Sequence, residues 1–179
     1  MRRVAVVPIA VSLALLGGCG GGGAGSAGVQ SASVSTASLA PVMLSAASYV
    51  AMASSIDLYQ VKSAQLALER AQDPANRSFA QRALNAHQGT SAQLSMAGRR
   101  LNLLPSATLD PEHQAMLDAL NTTSDFDNTY RAQQNIVLQE AVQLHSGFAK
   151  NGQSPTLRPV AANAESVMRA NLQALRNSR

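Results

Sequence analysis

The chain has 179 residues, enough for one globular domain, and only 3% of them are aromatic and 13% charged. Its 32 alanines favour helices and argue against an all-β fold. A single cysteine excludes an internal disulfide and any zinc site built from several cysteines.

The first 18 residues have the pattern of a secretory signal peptide. Arg2 and Arg3 form a positive start, and an apolar run of 13 residues from Val4 to Leu16 follows them. This run is shorter than the roughly 20 residues that a membrane-spanning helix needs. It leads into Leu16-Gly17-Gly18-Cys19, which resembles the lipobox of bacterial lipoproteins. The resemblance implies cleavage before Cys19 and acylation of that cysteine.

Residues 19–38 form a predicted tether. They are rich in glycine, serine and alanine and carry no ionisable side chain apart from Cys19. A flexible chain of this composition and length has a root-mean-square reach of about 25 Å. We therefore expect the tether to hold a domain, residues 39–179, clear of the lipid headgroups.

The charge distribution does not indicate nucleic-acid binding. Without residues 1–18, which carry Arg2 and Arg3, the formal net charge falls from +4 to +2. The remaining basic residues are scattered between acids, whereas a nucleic-acid surface needs a clustered basic stripe, often with stacking aromatics.

Helix signals divide the rest of the chain into five segments. Asp73-Pro74 and Asp110-Pro111 are start signals, because aspartate caps a helix and proline suits its first turn. Asn151-Gly152 is a stop signal. The predicted helices run over residues 41–71, 74–103, 110–120, 125–150 and 155–176.

The four long helices carry stripes of apolar and small residues at helical spacing. In the last helix the stripe is Val160, Ala164, Val167, Asn171 and Leu175. Four such helices with short connections predict an all-α, four-helix up-down bundle with one extra short helix. The stripes also predict that Leu94 and Leu144 lie in the core and that Met96 and Leu103 lie outside it.

Polar residues interrupt these stripes at a few positions. Gln60, Thr90 and Asn171 lie within stripes, and His87 lies on the flank of one. Four-helix bundles place metal or cofactor ligands at such positions. The alternative, which the residue types favour, is a hydrogen-bonded polar layer that fixes the register of the helices.

The domain also resembles a known bacterial family, the domain of unknown function family number 4142, often described as predicted outer membrane proteins. The resemblance implies a ferritin-like four-helix bundle behind a signal peptide, and it spans Tyr49 to Leu175. The segments that carry it are Gln60 to Ala67, Phe79 to His87, Phe126 to Tyr130 with Gln134, and Val167 to Leu172.

The sequence departs from the family pattern at its potential ligand positions. Gln60 stands where the family has glutamate, and Ala86-His87 replaces an aspartate–histidine pair. Leu138 and Asn171 stand where later histidines fall. Only His87 of the four potential ligands remains, and no Glu-x-x-His motif of a di-iron protein occurs.

Two functional hypotheses follow. The first is a non-enzymatic interaction or structural module of the bacterial envelope, anchored by the lipid on Cys19, without cofactor or metal. The second is a metal or small-ligand site near His87, Gln60 and Asn171, linked to envelope stress. We expect His113 and His145 to be surface or boundary residues, and the outer membrane, facing the periplasm, to be the location. An envelope protein is a possible partner.

Overall fold

The structure is a computed structural model that describes residues 43–178. The predicted signal peptide and tether, with Cys19, lie outside the described residues. Within residues 43–178 the fold consists of α-helices and contains no strand. The five helices are α1 (Ala46–Arg70), α2 (Pro74–Arg99), α3 (Pro111–Thr122), α4 (Phe126–Asn151) and α5 (Arg158–Asn177). The predicted all-α bundle with one short extra helix is confirmed.

Contacts between side chains give the directions of the four long helices. Tyr49 of α1 contacts His145 near the end of α4, and Ser63 contacts Gln134 earlier in α4, so these two helices are antiparallel. Helix α1 is also antiparallel to α2, to which a three-residue turn joins it. Helices α2 and α4 therefore run in the same direction, and the predicted up-down order is wrong at this step, because the connection between them is long enough to return the chain to the other end of the bundle. The segment between them, which contains α3, is a long crossover of the kind found in ferritin-like bundles.

The starts of α1, α2, α3 and α5 show which of the predicted capping residues begin a helix. Asp73 and Asp110 cap α2 and α3 through their side chains, as the Asp-Pro pairs predict. Helix α1 begins at Ala46, later than predicted, because the Ser45 hydroxyl accepts a hydrogen bond from the Ser48 amide and caps the helix there. Helix α5 begins at Arg158 and not at Pro155, which lies in a turn. The proline that fits the first turn of α5 is Pro159.

Helix α2 ends four residues earlier than predicted, at Arg99. The amides of Leu101 and Leu103 both donate to the Gly98 carbonyl, each at 2.9 Å, and Asn102 takes a left-handed φ of 54°. A Cβ on Gly98 would lie 2.2 Å from the Leu103 carbonyl oxygen, so this tight turn requires glycine. The turn starts the crossover toward α3.

The core comprises two clusters of buried side chains. The larger contains Ile56, Tyr59, Tyr130 and Leu138, and the smaller is built on Tyr49 and Phe148, whose rings stack at 3.9 Å. On α5 the buried face differs slightly from the predicted stripe. Met168 is fully buried there, while Val160 and Val167 are only partly buried.

An arginine fastens the C-terminal end of α3 to the bundle. Arg70, at the end of α1, donates to the carbonyl oxygens of Leu120 and Asn121 in the last turn of α3 and of its C-cap residue Thr123. Its guanidinium also lies 4.8 Å from the centre of the Phe126 ring. A cation at this position satisfies carbonyls that the helix itself leaves unpaired.

Candidate functional site

A buried carboxylate–histidine pair joins α1 and α2 in the middle of the bundle. Asp57 is 2% exposed and His87 is fully buried. The Asp57 Oδ1 atom accepts from His87 Nδ1 at 2.7 Å and from the Thr90 hydroxyl at 2.8 Å. Because a carboxylate can only accept, the His87 Nδ1 atom carries the hydrogen. This fixes the ring and directs its other nitrogen, Nε2, away from Asp57.

The polar residues predicted from the stripes are all buried. Gln60 and His87 are fully buried, and Asn171 is 2% exposed. Several of their polar atoms have no hydrogen-bond partner among residues 43–178: both side-chain ends of Gln60, His87 Nε2 and Asn171 Nδ2. The Gln134 Oε1 atom also has no hydrogen-bond partner among these residues. Because native proteins pair almost all buried polar groups, these residues have spare capacity for water or a small ligand.

His145 is the second buried histidine, and the prediction that it lies at the surface is wrong. It is 2% exposed, and its Nδ1 atom lies 3.0 Å from the Tyr49 hydroxyl. Burial lowers the pKa of His145 to about 4, although the nearby negative charge of Asp57 acts in the opposite direction. The stripe does not predict this burial, because His145 lies beside it. The contact with Tyr49 places this flank of α4 in the core.

His113 is the third buried histidine, again contrary to the prediction of a surface position. It is 3% exposed and lies between two carboxylates, with Nδ1 2.7 Å from Asp110 Oδ2 and Nε2 3.3 Å from Glu140 Oε2. Burial disfavours the charged ring, but the bonds to Glu140 and Asp110 outweigh it and raise the pKa of His113. The cluster joins the start of α3 to α4.

His113 also contacts a serine, so the cluster contains the three residue types of the Ser-His-Asp triad of hydrolases. The Ser55 hydroxyl lies 3.1 Å from His113 Nδ1. In a triad the acid holds one ring nitrogen and the nucleophile uses the other, whereas here Asp110 and Ser55 share the same nitrogen. Ser55 is also only 2% exposed. The arrangement is therefore structural and cannot present a nucleophile to a substrate.

Asp57 is the one residue of this site that the sequence analysis missed. It follows the stripe residue Ile56 and does not belong to the stripe itself. A signal was nevertheless present, since Asp57 and Lys62 are the only charged residues between positions 46 and 68. A lone acid beside the buried face of an otherwise neutral helix is a candidate for a buried pair.

The depressed pKa of His145 predicts acid sensitivity. The unfolded chain binds a proton at the ordinary pKa of 6.5, whereas the folded chain resists protonation down to about 4. The free energy of unfolding should therefore fall as the pH falls through this window, by about 3 kcal/mol from this group. Chemical denaturation at several pH values should show a shallower loss in His145→Gln. Equal slopes for the two proteins would contradict the assignment.

Comparison with known proteins identifies the family. The model of the domain of unknown function family DUF4142 matches residues 30–177. The chain belongs to this family. No curated protein matches the chain significantly.

Solved structures with the same fold carry a metal. CopM in the Cu(II)-bound form shares 18% identity with a TM-score of 0.64, covering 75% of this chain and 95% of that one. The Ag-bound form shares 18% identity with a TM-score of 0.61 over the same fractions. The Cu(I)-bound form shares 19% identity with a TM-score of 0.61, covering 73% and 91%. At this identity the likeness establishes the fold.

The donors in residues 43–178 fit a multi-ligand copper centre poorly. Within residues 43–178, no group of three or more His, Cys, Asp or Glu side chains is arranged to hold a metal ion. The His87 ring donates from Nδ1 to a carboxylate and its Nε2 atom is buried without a partner in residues 43–178, an arrangement typical of metal-binding histidines. The other unpartnered buried groups, those of Gln60, Gln134 and Asn171, are amides, which are weaker ligands for copper than imidazole or thioether sulfur.

Proposed function

We propose that this chain is a lipid-anchored protein of the bacterial cell envelope that acts as a non-enzymatic interaction or structural module. The proposed location rests on the lipobox-like segment that ends at Cys19. No described helix has the length and apolar run needed to cross a bilayer. A lipid on Cys19 would supply the membrane attachment independently of the bundle. The outer membrane, facing the periplasm, is the proposed home, because Gly20 and not aspartate follows the cysteine.

The single observation that supports a non-enzymatic role is the way the buried polar groups are used. Each histidine in residues 43–178 is at most 3% exposed. The Nδ1 atom of each one contacts a side chain of another helix: Asp57 for His87, Ser55 for His113 and Tyr49 for His145. General acids and bases must reach a substrate proton within hydrogen-bond distance. The three histidines of residues 43–178 therefore serve to hold the helices together.

Mass spectrometry of protein purified from membranes tests the anchor. We expect residues 1–18 to be absent and Cys19 to carry acyl chains. Two or more chains give stable attachment, whereas one gives only marginal binding, so the protein should stay in the membrane fraction through a high-salt wash. Cys19→Ser should leave an unacylated precursor. An unmodified Cys19 in the mature wild-type protein would refute the anchor.

A second candidate function is metal or small-ligand binding in the polar layer. It is favoured by one specific observation, the Nε2 atom of His87, which is buried, oriented by Asp57 and without a partner in residues 43–178. The spare amide groups of Gln60 and Asn171 support it. Envelope stress would then be the setting proposed for such binding. The metal content of the native protein separates the two candidates.

A further inference from the structure

A surface groove follows the outer side of the contact between α1 and α2. It reaches inward to the buried Asp57 and runs outward to Arg99, near the end of α2. Its walls combine neutral polar groups with aliphatic side chains. Among the residues that line it are Ser54, Asp57, Leu58, Val61, Gln88 and Ser91.

The Asp57 carboxylate has acceptor capacity left at this groove. Both of its hydrogen bonds, from His87 Nδ1 and Thr90 Oγ1, go to the Oδ1 atom. Its Oδ2 atom accepts no side-chain or backbone hydrogen bond from residues 43–178. A carboxylate offers about four lone-pair positions, and a nearly buried one gains most from a partner that carries positive charge. The groove therefore has an anionic acceptor at its inner end.

The other lining residues decide which kind of cation fits. A divalent ion takes six or more oxygen ligands and usually several carboxylates, but Asp57 is the one acid that lines this groove. An ammonium group has only three hydrogens to place. One can go to Asp57, and the Ser91 hydroxyl and Gln88 amide supply neutral acceptors. The side chain of Leu58 lies beside them and suits a hydrocarbon stem.

We propose that the α1–α2 groove binds a ligand with one primary ammonium group on a short hydrocarbon stem, with Asp57 as the anionic partner. A free alkylamine and a lysine side chain share this chemistry. The guanidinium of Arg99 at the outer end disfavours a second positive charge on the ligand. The groove should therefore prefer a monoamine to a diamine of similar length.

Titration of the full-length protein, isotope-labelled and solubilised in detergent, tests the proposal by nuclear magnetic resonance. Butylammonium chloride should cause saturable shifts at the amides of Ser54, Gln88 and Ser91. Equal concentrations of sodium chloride should not, and 1,4-diaminobutane should bind more weakly. Nα-acetyl-lysinamide in place of butylammonium shows whether a lysine side chain also fits. If it shifts the same amides, peptides are included in the ligand class, and if it does not, the class narrows to free amines.

Two substitutions and one control variant locate the binding site. Ser91→Leu fills the groove without touching the Asp57 pair, so it should weaken butylammonium binding by about tenfold or more. Ser78→Leu, at an exposed position of α2 outside the groove, is the matched control and should bind like the wild type. Asp57→Asn should lose binding while His87 keeps an acceptor. Absence of saturable shifts in the wild type, or undiminished binding in Ser91→Leu, would overturn the proposal.

Discussion

Replacing Leu94 with aspartate should unfold the bundle, whereas the same change at Met96 should leave it folded. Leu94 is 3% exposed and packs in the smaller core cluster, while Met96 is 58% exposed two residues later on the same helix. An isolated buried carboxylate costs more than the roughly 5–15 kcal/mol that a domain has available. Circular dichroism melting should show no cooperative transition for Leu94→Asp and a near wild-type midpoint for Met96→Asp.

Similar melting behaviour of the two variants would show that the register of α2 is wrong. The sequence also predicts that Leu144 lies inside the core and Leu103 outside it. These two residues do not show the contrast in burial that Leu94 and Met96 show. Both are partly buried, and both pack against the smaller cluster. Leu103 does so because the turn after Gly98 folds the chain back over the bundle end.

Removing the Asp57 carboxylate should have the second largest effect. In Asp57→Ala, His87 Nδ1 and the Thr90 hydroxyl lose their shared acceptor inside the core. Each donor left without an acceptor in the core costs about 1–3 kcal/mol, because it stays desolvated without a partner, so the two together cost about 2–6 kcal/mol. Urea denaturation should show a loss of this size. Asp118→Ala is the matched control, since the Asp118 carboxylate is exposed and holds only Gln114.

A double mutant distinguishes the interaction energy between Asp57 and His87 from the separate effect of each substitution. If Asp57 and His87 stabilise the fold mainly through each other, the losses in Asp57→Ala and His87→Ala should not add. The combined variant should then be less unstable than the sum of the two single variants. Additive losses would mean that the 2.7 Å contact contributes little and that each side chain acts through its own packing.

The architecture could be predicted from local signals because those signals act within one helix. The Asp73-Pro74 and Asp110-Pro111 starts lie where the chain begins α2 and α3. Helical spacing likewise identifies the buried faces, including Gln60, Thr90 and Asn171. These features depend on capping and on one periodic pattern, both of which are visible in a single sequence.

The centre of the candidate site could not be predicted, because it depends on contacts between helices. Asp57 and His87 are 30 positions apart, and only the packing of α1 on α2 brings them together. Periodicity defines the middle of a buried face but not which flank a neighbouring helix will cover. Asp57 and His145 lie on such flanks, and His113 lies in the first turn of α3, outside the four stripes. Their burial follows from the crossover and from the helix directions, for which the sequence has no local signal.

Metal analysis of the protein purified from its native envelope tests the central claim most directly. The wild type and His87→Ala should be compared by elemental mass spectrometry, with circular dichroism to show that both are folded. A non-enzymatic module with a structural polar core should contain far less than one equivalent of any transition metal in both proteins. One equivalent of metal in the wild type that disappears in a folded His87→Ala would contradict this account and establish the bundle as a metal-binding protein.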